Sequence, residues 1–389
     1  MTMGRALLRI VSGLTIALRL TAPLPARAVE VDAEPNDTRL RPHVATLASP
    51  EYQGRRGAGG IKAAEYIVGH FRKLGLEPAF DGKFSQEIPA REGNVPMGRN
   101  VGAILRGSDP KLRDEWVIVS AHFDHLGQRG EVVYPGADDN ASGVAMLLEA
   151  ARSFVEAKIP PKRSVMFLSF DLEEIGLFGS RYFVEHSPVP LSKIALFMTA
   201  DMIGRALGGV CESYVFVMGS EHAPGLRPWL DQAAKDQPLK VGLLGSDILL
   251  IDRSDYGPFR ARKVPFLFFS TGENPLYHSP RDVAETLNYP KLEAISRVMY
   301  RVARQAASSE NVPVWNATAE NPLGEAVAIR DVLRTLLEHR ADLKINGIQS
   351  QIMTNTLKSL DGILERGVCT PNERLGYIRA ARIILISLF

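Results

Sequence analysis

Apolar residues follow two rhythms along this chain. Between Ile61 and Leu74 they recur every three or four positions, placing Ala64, Ile67, Val68, Phe71 and Leu74 on one face. That spacing predicts an amphipathic helix, which Gly75 ends. Trp116 to Ala121 is instead almost continuously apolar, the pattern of a strand covered on both faces. The two rhythms then alternate. Helical spacing covers 143–157, with Val144, Leu147, Leu148, Ala151 and Phe154 aligned, and returns at about 177–187, 223–236 and 290–308. Further strands are predicted at 164–170, 194–200, 214–218 and 264–270, with shorter ones at 84–88 and 99–106, and a short helix at 41–49. This alternation predicts an α/β fold: a mixed, largely parallel central sheet flanked by helices on both faces. Beyond Val312-Pro313-Val314 the spacing is helical, apart from an apolar terminus at Ile383 to Leu388. Residues 313–389 are expected to form a helical extension that covers the main domain or mediates self-association.

The first residues have a different character. Arg5 and Arg9 precede a short apolar run, Ile10 to Leu18, and Ala26-Arg27-Ala28 supplies small residues where a signal peptidase reads. Residues 1–28 are therefore expected to be a secretory leader, with export of a main domain at 29–312. The run is too short to span a bilayer, and no later stretch is long and apolar enough. A formal net charge of +2, without a basic run, argues against nucleic-acid binding. The two cysteines, Cys211 and Cys369, are far apart and outside any Cys-x-x-Cys pattern, so they read as free thiols and not as sulfur ligands.

Chemistry is expected just beyond the carboxyl ends of the predicted strands, where open α/β sheets place their ligands. His122 and Asp124 follow 116–121, Glu173 and Glu174 follow 164–170, Asp201 follows 194–200, and His278 comes some way after 264–270. Asp138 lies in Gly136-Ala137-Asp138-Asp139-Asn140-Ala141-Ser142-Gly143, between a polar loop and a helix. Each alone is ordinary: a histidine after a strand, a solvated Glu-Glu turn, an Asp-Asp-Asn helix cap. Gathered in one loop layer they are not. Two imidazoles and three carboxylates suit zinc, and the mutual repulsion of the carboxylates calls for cations. A two-metal centre would neutralise it. Asn140 is expected to cap the helix that follows.

The segments His122-Phe123-Asp124-His125, Gly136 to Gly143, Asp171-Leu172-Glu173-Glu174-Ile175-Gly176, Asp201-Met202-Ile203-Gly204-Arg205 and Tyr277-His278-Ser279-Pro280-Arg281-Asp282 occur in that order. Over roughly residues 40–310 the chain resembles the co-catalytic di-zinc aminopeptidases of secreted leucyl aminopeptidase and aminopeptidase Y type. The resemblance implies two zinc ions per chain, one held by His122, Asp138 and Asp201, the other by Asp138, Glu174 and His278. Asp138 would bridge them, and the Asp138–Asp139 peptide would be cis. Asp124 would fix the His122 tautomer. Glu173 would act as general base and then acid, and the substrates would be peptides with a free amino terminus.

The chain departs from the family where a tyrosine usually stands just upstream of a Ser-Asp-His segment. The local sequence is Asp252-Arg253-Ser254-Asp255-Tyr256, which leaves Tyr256 as the candidate oxyanion-stabilising residue beside a plain packing role. His125 is expected to support the site without ligating. Arg205 and Arg281 are read as orienting carboxylates or forming plain salt bridges, and Arg55 and Arg56 as structural contacts near the site. The alternatives are a glutaminyl cyclase, which needs one metal, a carboxypeptidase relative, and a non-catalytic receptor or scaffold. The last would be expected to have lost ligands that are all present here.

Overall fold

A computed structural model describes residues 34–90, 95–317 and 321–388. The expected leader lies outside them. Helices α1 (Asp37–Leu47) and α2 (Ala58–Lys73) lead into β1 (Glu77–Pro78), β2 (Ser85–Ile88) and β3 (Gly98–Leu105). Then come β4 (Trp116–His122), a hairpin of β5 (Gln128–Arg129) and β6 (Val132–Val133), α3 (Gly143–Glu156), β7 (Ser164–Phe170), α4 (Phe178–Glu185) and β8 (Ile194–Ala200). Next follow β9 (Tyr214–Met218), α5 (Arg227–Ala234), β10 (Lys240–Leu243), α6 (Tyr256–Ala261), β11 (Phe266–Ser270) and α7 (Tyr289–Ser308). The final helices are α8 (Pro322–Glu338), α9 (Gly347–Arg366) and α10 (Pro371–Leu388).

Among the described residues the main sheet has nine strands in the order β1-β3-β7-β4-β8-β11-β9-β10, with β2 also on β3. Its centre, β7-β4-β8-β11, is parallel. The flanks are antiparallel, β3 to β7 and β9 to β11. The carboxyl ends of the four central strands therefore open on one rim.

Strand β4 shows why its apolar run is continuous. Alternate side chains serve two cores. Val117, Val119 and Ala121 join the core that includes α1, α2, α3, α5 and α7, while Trp116 and Ile118 join the one beneath α4, α6 and α8 to α10. Helix α2 buries Ala63, Ala64, Ile67, Val68 and Phe71, the predicted stripe. At about 1.5–3 kcal/mol for each large apolar side chain buried, this packing and not intrinsic propensity holds the helix.

The C-terminal helices belong to the same compact unit as the sheet. Tyr214 Oη on β9 donates to Asp331 on α8 at 2.7 Å. Cys211 and Cys369 are both free thiols. Strand β10 and helix α6 are additions to the sequence expectation. Both are short, and β10 carries only a weak apolar signal.

Candidate metal centre

His122 is the last residue of β4, and its Nε2 lies 3.3 Å from Asp201 Oδ1 and 3.5 Å from Asp139 Oδ1. Its Nδ1 faces the other way, 3.5 Å from Asp124 Oδ1. The Asp124 carboxylate also accepts the backbone N–H groups of Glu173 at 3.0 Å and Glu174 at 3.3 Å. One carboxylate thus orients a ring on β4 and the loop after β7. On the other side, His278 Nε2 is 3.1 Å from both Asp139 Oδ2 and Glu174 Oε2. His125 Nδ1 meets the second oxygen of Glu174, Oε1, at 2.6 Å.

The result is two adjoining groups, His122–Asp139–Asp201 and His125–Asp139–Glu174–His278, in each of which the ligand atoms lie within 4.8 Å of one another. Asp139 belongs to both. Its Oδ1 faces the first group and its Oδ2 the second.

This placement corrects the expectation for Asp138, whose carboxylate is in neither group. Its Oδ1 accepts Gly204 N–H at 2.6 Å and its Oδ2 accepts Asn274 Nδ2–H at 3.1 Å. Arg205 Nη1 stands 3.7 Å from Oδ2. The backbone leaves no freedom to exchange the two. Asp282 accepts the N–H groups of Asp138 at 2.9 Å and Asp139 at 3.2 Å, and Arg205 binds Asp282 in turn. From below, the fully buried Arg55 donates to the carbonyls of Gly136 at 2.7 Å and Asp139 at 3.0 Å. The cis peptide is likewise one residue later than expected, at Asp139–Asn140. Asn140 Oδ1 accepts Gly143 N–H at 3.0 Å and its Nδ2 donates to Ala200 O at 2.8 Å, but the N-cap position of α3 is Ser142 and not Asn140 as expected, because a π-helical turn over Ala137–Ser142 precedes the helix.

Tyr256 is not brought to the centre. Its ring is fully buried and stacks on Phe266 and Phe268, at 5.3 and 4.8 Å between centroids. Burial, and then the neighbouring Asp252 carboxylate, push its phenol well above the usual range. As the first residue of α6 it faces the core. The tyrosine at the centre is Tyr277, stacked on His278 at 3.8 Å. Burial, followed by the charges of Asp139, Asp201 and Glu174, raises its phenol too. Sequence pattern alone assigns Tyr277 no role. Its place directly before a candidate ligand is the signal that marks it.

The electrostatics explain the crowding. Burial raises the Glu173 carboxyl well above its ordinary value, with Asp201, Asp255 and Asp124 adding to the effect and His122 opposing it. Burial alone would lower His278, but contacts with Asp139 and Glu174 outweigh it and lift the imidazole to about 10. Burial would also lower His122, and Asp201 and Glu173 reverse that. Glu174, which burial would raise, is held low by His125 and His278. Imidazole protons here balance carboxylates, the task a bound cation would take over. A donor set of imidazole nitrogens and carboxylate oxygens, without sulfur, fits zinc.

Comparison with known proteins gives the same picture. The family model described as peptidase family M28 matches residues 100–303. Aminopeptidase YwaD of Bacillus subtilis is 27% identical over 204 residues, covering 51% of this chain and 42% of that protein. The chain therefore spans less than half the length of this curated relative. Among solved structures, the zinc aminopeptidase BSAP from Bacillus subtilis superposes with a TM-score of 0.57 at 16% identity, over 72% of this chain and 98% of that one. The glutaminyl cyclase of Porphyromonas gingivalis shares the fold at a TM-score of 0.54 and 20% identity, over 69% and 97%.

Proposed function

This chain belongs to peptidase family M28, and from that premise we propose that it is a zinc-dependent exopeptidase removing amino-terminal residues from peptides. The observation that carries the reading is Asp139, whose two oxygens face two separate ligand groups. Two zinc ions fit that arrangement. His122, Asp139 and Asp201 would hold one, and Asp139, Glu174 and His278 the other. Zinc bound in such a site polarises a carbonyl and acidifies water. A His125 ligand would close the second sphere, whereas catalytic sites keep a position open. His125 instead donates to Glu174 Oε1, which would orient the Glu174 carboxylate toward a bound metal.

The remaining work falls to the chain's own groups. Glu173 lies outside both ligand groups, and its burial gives its carboxylate a high proton affinity. It takes the proton of the attacking water and passes it to the leaving amine nitrogen. The Tyr277 phenol, whose ring stacks on His278, would donate to the oxyanion formed at the scissile carbonyl. A bound metal would also hold the substrate's free amino group, which would restrict cleavage to the amino-terminal bond. YwaD is named an aminopeptidase and BSAP a zinc aminopeptidase, which supports this substrate class.

The decisive pair of variants is Glu173→Ala and Asp139→Ala. Glu173→Ala should retain zinc, read by elemental analysis, while turnover of an aminoacyl p-nitroanilide falls by about 10²–10⁴-fold. Asp139→Ala should lose both metal and turnover. Retained turnover in a metal-loaded Glu173→Ala protein would remove the proposed base. Conversion of an amino-terminal glutaminyl peptide to its cyclised form, without cleavage of aminoacyl substrates, would instead favour the cyclase reading.

A further inference from the structure

A cationic side chain stands near the centre. Arg253, on the loop between β10 and α6, has its guanidinium near enough to Tyr277 for the two to interact electrostatically. Tyr277 stacks on His278, so Arg253 stands one side chain away from the second ligand group. Its Nη2 donates to Glu273 Oε1 at 2.8 Å, and its side chain is 48% exposed. A guanidinium carries five N–H donors in a rigid fork. Glu273 holds one N–H of the fork.

The site therefore has a direction. The two ligand groups lie at one end, and a half-exposed arginine stands at the other. A short peptide likewise carries an amino group at one end and a carboxylate at the other. A dipeptide spans about 7 Å when extended, so its terminal carboxylate stays close to the metal centre while its first peptide bond is cleaved. An Arg fork is the group best matched to a carboxylate.

We propose that Arg253 binds the free terminal carboxylate of the leaving residue, making dipeptides a preferred substrate class. The inference rests on the aminopeptidase reading above. It assigns Arg253 to substrate binding and gives it no part in the proton transfers.

The test compares leucylglycine, leucylglycinamide and leucylglycylglycine on the zinc-loaded full chain, in wild type, Arg253→Gln and Arg253→Lys, with metal content measured for each. Wild type should favour leucylglycine over its amide by about tenfold or more in kcat/KM, the scale of one hydrogen bond to a charged group. The tripeptide, whose carboxylate lies one residue further out, should behave like the amide. Arg253→Gln should bring the ratios close to one mainly by raising KM for leucylglycine, and Arg253→Lys should restore part of the preference. Equal use of all three substrates by wild type overturns the proposal, as does an Arg253→Gln protein that loses activity on all three by the same factor. A zinc-loaded wild type that cleaves none of them overturns the aminopeptidase reading itself.

Discussion

Asp138 and Asp139 are adjacent and chemically identical, yet their carboxylates serve different ends. Asp138 is consumed by Gly204 and Asn274 and ties the loops after β8 and β11 together. Asp139 is left for the two ligand groups. The difference comes from Arg55, Asp282 and Arg205, which clamp the backbone on either side. Away from the centre, His70 carries a separate pH dependence. Burial, with help from the charges of His43 and Lys73, lowers its imidazole to about 4. The unfolded chain takes up this proton near pH 6.5, but the folded one does so only near pH 4. Below about 6.5 the unfolded state binds more protons, so the stability attached to neutral His70 is lost as pH falls from about 6.5 to 4. His70→Gln should flatten the acid side of a stability curve measured by urea unfolding across that window. An unchanged slope would show that other groups set it.

At the scale of elements, the notable join lies between the C-terminal helices and the loop after β10. Arg374 on α10 binds Asp247 with two hydrogen bonds at 2.8 and 2.7 Å and Glu325 on α8 at 2.8 Å. Glu325 accepts Gly245 N–H at 2.8 Å, and Arg382 donates to Ile248 O at 3.2 Å. Only a few residues separate this anchor from Arg253. Glu325 is 2% exposed, so removing Arg374 strands a buried carboxylate. Arg374→Ala should cost on the order of 3 kcal/mol, read from denaturant midpoints, and Arg374→Gln with Glu325→Gln together should recover part of it. A loss below about 1 kcal/mol would mean that the network is screened like an exposed pair.

At the scale of the molecule, the centre joins distant parts of the chain, since its candidate ligands run from His122 to His278 on β4 and the loops after β4, β7, β8 and β11. A cation binding these groups would bind only the folded state and so stabilise it, by about 2.7 kcal/mol at a hundredfold excess over Kd. Chelation should therefore lower Tm by roughly 5 °C or more and abolish peptidase activity, and zinc should restore both. Identical melting curves with and without chelator would argue against a resident metal.

Much of this was legible in one dimension. The central strands announce themselves because burial on both faces forces near-continuous apolar runs, and Trp116 to Ala121 reads as a strand without any template. His122, Glu174, Asp201 and His278 could be selected because they follow such strands, and parallel strands share a rim. Helix α6 and strand β10 were not legible, being too short for a periodic signal. Tyr256 was misplaced for a related reason: its neighbours in sequence are polar, while its neighbours in space are Phe266 and Phe268.

The sequence by itself determined the α/β architecture and the loop layer in which His122, Glu173, Glu174, Asp201 and His278 lie, because these depend on local pattern; the roles of Glu173 as base and of the others as ligands came from the family resemblance. Tertiary structure alone decided that Asp139 and not Asp138 faces both ligand groups, and that Tyr277 and not Tyr256 stands beside them. Neighbouring side chains diverge according to backbone dihedrals, and those dihedrals are set by hydrogen bonds from residues such as Arg55 and Asp282, tens to more than a hundred positions away.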